Sequence, residues 1–133
     1  MTDRIPEKRS GVIDLPIAKA SGATVKRVVS TEGKPSRTRY RVLGEKNGRA
    51  LVLLELETGR THQIRVHLNA IGCPVCGDFL YGEEQPEEFP GRFALHSALL
   101  QVTHPVTGVR ILLTSLPEWA CETEPAVLLM DMD

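Results

Sequence analysis

Little in this chain points to a disulfide, a membrane or a bound nucleotide. Its 133 residues hold three cysteines, an odd number that argues against a disulfide framework and makes a reducing cytoplasm the expected compartment. No apolar run approaches the roughly 20 residues that span a bilayer. The first residues are polar and lack the apolar segment of a signal peptide. Neither phosphate-cradling glycine pattern, G-x-x-x-x-G-K-[ST] or G-x-G-x-x-G, occurs, and no Ser or Cys sits in a recognisable nucleophile motif. There is no internal repeat and no low-complexity tract. What remains, 41% hydrophobic and 25% charged, fits a soluble globular chain of one domain. Such a chain has one core and buries about two-thirds of its unfolded surface.

The net charge of -1 hides an asymmetry. Residues 1–65 carry 14 of the 16 Lys and Arg against 7 Asp and Glu, a balance of +7; residues 66–133 carry 2 against 10, a balance of -8. A basic half of this kind suits a phosphate-rich partner, and an ordinary solvated surface is the alternative.

Along the chain, residues 1–10 read as a loose polar segment. Gly11–Ile17 reads as a strand interrupted by Pro16, hence at an edge or bend. Residues 18–36 read as loop with a short strand near Val25–Val29. Arg37, Arg39 and Arg41 alternate with Thr38, Tyr40 and Val42, the period of a strand with one wet face. Asn47-Gly48 is the favoured two-residue hairpin turn. The return strand, Ala50–Glu57, is apolar on both faces at first and is expected to lie centrally. A second hairpin is expected over Phe93–His104 and Val109–Ser115, followed by a short helix opened by Leu116-Pro117-Glu118-Trp119.

Between the hairpins lies Thr58-Gly59-Arg60-Thr61-His62-Gln63-Ile64-Arg65-Val66-His67-Leu68. If a helix starts near Thr61, with Thr61 as N-cap, Ile64, Leu68 and Ile71 form one buried stripe. The other faces then turn Arg65 and His62 outward. Gly72 and Pro74 supply the stop. A helix start beside arginines suits an anionic ligand. The C-x-x-C pair Cys73/Cys76 lacks the second cluster that structural zinc requires, so it reads as small residues in a turn. His62 and His67 are five apart, a poor spacing for a metal pair on a helix, and His96 and His104 read as hydrogen-bonding groups of the second hairpin. No metal and no cofactor is expected.

With these residues in hand, the chain resembles the RluA-type ribosomal RNA pseudouridine synthases. Four blocks carry the likeness in the family's order: Gly11–Ile17, Thr58–Leu68, Gly77-Asp78 with Tyr81-Gly82, and Leu95-His96-Ser97 followed by His104-Pro105. The resemblance implies a cofactor-free isomerase. In it an aspartate adds to a uridine of RNA, and the base detaches, turns and rejoins its ribose through carbon. By resemblance, Arg65 matches the arginine that pairs with that aspartate. Arg60, Thr61, His62 and Gln63 match positions that organise substrate and loop, and Leu95 matches an apolar lining residue of the uridine pocket. Arg37, Arg39 and Arg41 form a stripe suited to the RNA backbone.

One departure is large. The family's nucleophile lies in a His-Arg-Leu-Asp segment followed by Thr-Ser-Gly, with a pocket tyrosine soon after, and neither occurs here. Asp14 and Asp78 match other blocks, and Tyr40 and Tyr81 fall elsewhere than the pocket tyrosine. The expectation is an α+β fold with a mixed, mainly antiparallel sheet and few helices, resembling about half of a synthase catalytic domain. That partial domain spans 11–120, with a tail at 121–133. It is expected to bind RNA, ribosomal in origin by resemblance, and to be inactive alone. A split-enzyme half, a non-catalytic RNA-binding remnant and, as an outsider, a zinc module are the alternatives. An opened sheet would leave an edge and apolar surface, favouring self-association or pairing with a missing N-terminal half.

Overall fold

A computed structural model describes residues 1–22 and 25–120. They divide into two compact units, residues 1–94 and a second that begins at Leu95, where the sequence suggested one domain over 11–120. The expected tail at 121–133, with Cys121, lies outside the described residues.

The first unit is built on a three-stranded sheet in the order β1 (Ser10–Asp14), β4 (Arg37–Lys46), β5 (Arg49–Leu56), with both pairings antiparallel. The period-2 pattern holds on β4. Thr38 and Val42 are buried while Arg37, Arg39 and Arg41 are exposed, so the strand has one dry and one wet face. Asn47 and Gly48 both take positive φ, 54° and 76°, which is the twist a two-residue hairpin needs. A bulge at Leu43 shifts the register between Val42 and Gly44.

β4 is the central strand, and not β5 as the apolar run suggested. β4 is paired along both edges, whereas among the described residues the outer edge of β5 is met only at Ala50, by Thr2. Leu51–Leu54 are accordingly half-buried.

The segment read as one proline-broken strand divides at Leu15-Pro16 into β1 and β2 (Ile17–Lys19). β2 then pairs with β3 (Arg27–Val29) in a small second sheet. Nor are the first ten residues loose at their start. Thr2 is 1% exposed and its N–H donates to Ala50 O at 2.9 Å. The Met1 amine donates to Ala94 O at 2.8 Å, and the Cys76 N–H donates to Met1 O. Composition misled there, because backbone pairing rather than apolar side chains holds the segment. The core of this unit gathers Ile13, Ile17, Val42, Ala50, Val66, Leu68, Val75 and Phe89.

One α-helix, α1 (Gln63–Ala70), packs against β3 and β4. The second unit holds the expected hairpin, shorter than the pattern suggested: β6 (Leu99–Thr103) with β7 (Arg110–Thr114), then a 3-10 turn at Glu118–Ala120. His104 shapes its turn, with Nδ1 accepting the N–H groups of Val106 and Thr107. Every strand pairing among the described residues is antiparallel. The architecture is thus α+β, mainly antiparallel, with one α-helix among the described residues. No helix among the described residues is long and apolar enough to cross a membrane.

Candidate functional site

α1 sits differently from the apolar stripe. Its N-cap is His62, in the left-handed region (φ 55°) and without a side-chain cap; Thr61 lies outside and exposed. Gln63, Arg65, Val66, His67 and Leu68 are buried, while Ile64 is half-buried and Ile71 is 36% exposed. The helix therefore turns three polar residues inward. Each has a specified partner, and burying a polar group costs little when its hydrogen bonds are made inside.

Gln63 uses both ends of its amide. Nε2 donates to Arg37 O (2.8 Å) and Thr38 Oγ1 (2.9 Å), while Oε1 accepts from the Thr58 hydroxyl (2.7 Å) and the Arg60 N–H (3.0 Å). It staples the Thr58–Arg60 turn to β4. His67, 0% exposed, lies 2.8 Å from Thr38 Oγ1 through Nδ1 and 2.8 Å from Leu15 O through Nε2. A carbonyl only accepts, so Nε2 carries the proton and Nδ1 accepts from the threonine hydroxyl in the neutral ring. Burial lowers the His67 pKa, against opposing contributions from the Leu15 bond and Asp14.

Arg65 is the centre of the site. Its Nε donates to Asp78 Oδ2 at 2.9 Å and its Nη2 to Asp78 Oδ1 at 2.7 Å. The arginine side chain is 9% exposed and the aspartate 0%. The N–H groups of Leu80 (3.1 Å) and Tyr81 (3.2 Å) also donate to Oδ1. Burial pushes the Asp78 carboxyl up, but the Arg65 hydrogen bonds, the two N–H groups and the arginine's charge outweigh it and hold the pKa below its ordinary value. Three rings surround the guanidinium, with Cζ to centroid distances of 4.2 Å for Phe93, 5.2 Å for Tyr81 and 5.5 Å for Phe79. Phe79 is 57% exposed, so this wall of the site faces solvent with an aromatic ring.

Tyr81 links the site to its surroundings. Its hydroxyl accepts the Arg27 N–H at 2.9 Å and lies 2.9 Å from His62 Nδ1. Burial, then the charges of Arg65 and Arg27, lower the His62 pKa, so the ring is held neutral beside the guanidinium.

The expected outward-facing Arg65 is thus corrected. The residue is buried because Asp78, assigned to a separate turn block, is its partner within the chain. Aromatic residues 79, 81 and 93 lie in loops where no periodicity marks them; the one available signal was the Gly77-Asp78…Tyr81 block. Arg60 is exposed and donates from Nε to Pro35 O at 3.2 Å. Arg37 pairs with Asp14 at 3.6 Å and with Glu57 at 3.4 Å, and Arg39 pairs with Glu57 at 3.5 Å. Arg41 has no ion pair among the described residues. Leu95, half-buried, opens the second unit. Cys73 and Cys76 are buried free thiols. Burial raises the Cys73 pKa and takes that of Cys76 up to about 12, leaving both protonated and weak as ligands or nucleophiles.

The site therefore offers a desolvated cation of fixed orientation. Asp78 engages Nε and Nη2, and Nη1 is the nitrogen it leaves. Such a guanidinium can orient a second carboxylate or another anionic oxygen beside an aromatic wall.

Known proteins resemble this chain. The family profile described as RNA pseudouridylate synthase matches residues 2–70. The ribosomal large subunit pseudouridine synthase D of Nitrosomonas europaea is 43% identical over 117 residues, covering 83% of this chain and 34% of that protein. The protein of the same name from Pseudomonas aeruginosa is 41% identical over 122 residues, covering 81% and 38%. Among solved structures, human RNA Pseudouridylate Synthase Domain Containing 1 aligns with a TM-score of 0.69 at 32% identity, over 87% of this chain and 51% of that one. The chain spans about a third of the length of these curated relatives.

Proposed function

Since the chain belongs to the RNA pseudouridylate synthase family, in its RluA-type branch, we propose that it supplies the arginine-bearing wall of a uridine site that acts on RNA, ribosomal RNA by analogy with the relatives' names. The observation that carries this reading is the buried Arg65, clamped by Asp78 under three aromatic rings. Isomerisation of the family's kind opens with attack by an ionised carboxylate on a uridine held out of its stack. A guanidinium fixed in advance keeps that carboxylate ionised in a dry site and sets its direction. Phe79 and Tyr81 offer stacking surface for the extruded base.

Asp78 does not fit the attacking role, since four N–H donors occupy its two oxygens. Asp14 fits no better. It is exposed and pairs with Arg37. Among the described residues Arg65 pairs with no other carboxylate, so on this reading Nη1 awaits one and the 133-residue chain does not isomerise uridine unaided. Incubating the pure chain with uridine-containing ribosomal RNA, then analysing nucleosides by chromatography, tests this. Background pseudouridine is the expected result, and turnover above background overturns it.

A second reading, RNA binding without turnover, is favoured by the exposed arginines of β4. A complementary polypeptide, or a second copy of the chain, is favoured by the exposed Leu100, Leu112 and Leu113 of the second unit. Sedimentation over a range of concentrations tests self-association, and a stable monomer throughout excludes it.

A further inference from the structure

Beside the Arg65 site lies a cleft of about 510 Å³ between the β2–β3 hairpin and the Gly59–Thr61 turn. We propose that it is a phosphodiester-binding subsite, seating the backbone of the RNA strand whose base enters at Arg65. The inference rests on the RNA reading above and assigns part of the binding to residues outside the motif.

Four cations line the cleft, Lys19, Arg27, Lys34 and Arg60, against one carboxylate, Glu32. That concentration stands out in a chain of net charge -1. Lys19 and Lys34 are exposed, and neither pairs with a carboxylate among the described residues. The two arginines are anchored at one nitrogen each by a carbonyl oxygen, Arg27 Nη1 on Val25 O at 2.7 Å and Arg60 Nε on Pro35 O at 3.2 Å. Their remaining N–H groups stay available at a set position. The wall that carries Lys34 is fixed, because Lys34 and Ile17 exchange backbone bonds of 2.8 and 3.0 Å. Gly33 lies so close that a Cβ there would meet Ile17 backbone at 2.5 Å. Among the described residues no aromatic ring lines the cleft. It therefore has the means to hold charge and none to stack a base, which is how backbone positioning is separated from base contact. Continuity with the Arg65 site runs through single residues. Arg27 lines the cleft while its N–H holds the Tyr81 hydroxyl, and Thr61 precedes His62, which meets the same hydroxyl.

The test titrates the full ¹⁵N-labelled chain with a single-stranded, uridine-containing RNA oligonucleotide and, separately, with polyglutamate of equal charge. The amides of Gly33, Lys34, Gly59 and Thr61 should shift with RNA. The Lys19→Ala/Lys34→Ala variant, whose two sites are exposed and whose spectrum should otherwise match the parent, should lose about 1.4 from the slope of log affinity against log salt. Its binding should then be roughly 25-fold weaker at 0.1 M salt and converge with the parent near 1 M. If RNA moves His62, Arg65 and Tyr81 while the cleft amides stay still and the double variant binds like the parent, the subsite is wrong and the RNA reading stands. If RNA moves no resonance, both fall. Polyglutamate shifting the cleft amides at the same affinity as RNA overturns the phosphodiester assignment.

Discussion

Replacing Asp78 with alanine should destabilise this protein more than almost any other single change. The substitution leaves a guanidinium that is 9% exposed without its two charge-assisted hydrogen bonds, and strips the Leu80 and Tyr81 N–H groups of their acceptor. Breaking a buried pair from one side costs about 3–5 kcal/mol, because the surviving charge stays desolvated. For a chain of this length that is roughly 10–20 °C in melting temperature, readable by circular dichroism at neutral pH. Removing both charges in Arg65→Met/Asp78→Leu should recover part of the loss, since an apolar pair leaves no stranded charge.

The acid limb gives a second reading of the same pair. Because the folded pKa of Asp78 lies below the ordinary 3.8, its stabilisation is complete above that value and is lost as pH falls through the folded pKa. The parent should lose this contribution below 3.8, and Asp78→Ala should not. A neutral-pH loss under about 1 kcal/mol, or parallel acid limbs, would refute the claim that this pair organises the site.

Three further outcomes follow from the geometry. Burial depresses the His67 pKa below 6.5, so its neutral-ring stabilisation is full above 6.5 and declines as pH drops. In His67→Gln, urea midpoints between about pH 7.5 and 5.5 should fall less steeply than in the parent, with His62 supplying the residual slope. Tyr81→Phe keeps the ring on Arg65 but leaves the Arg27 N–H and His62 Nδ1 without the hydroxyl. A loss of about 1–3 kcal/mol in denaturant unfolding is expected. Gly48→Val at φ 76° should cost about 1–2 kcal/mol, and an unchanged midpoint would contradict the hairpin geometry.

The sequence disclosed most where local rules dominate. The alternation along Arg37–Val42 and the Asn47-Gly48 turn placed the first hairpin correctly, since side-chain period and positive φ are settled within a few residues. The order of strands was harder to read, because Leu51–Leu54 look central while position in a sheet depends on which edges find partners. The helix stripe failed for a related reason. Polarity says outward only when a side chain lacks an inward partner, and Gln63, Arg65 and His67 each have one, at Thr38, Asp78 and Leu15. The family motif marked Arg65 as important, yet its nearest partner came from a block read separately, and Phe79 and Phe93 carry no pattern at all.

The most direct test of the central claim is complementation. The chain is mixed with the part of the Nitrosomonas europaea relative outside the matched region, and pseudouridine is measured in ribosomal RNA. The account predicts turnover only in the mixture, abolished by Arg65→Met in this chain. Turnover by the chain alone, or turnover in the mixture that survives Arg65→Met, would contradict it.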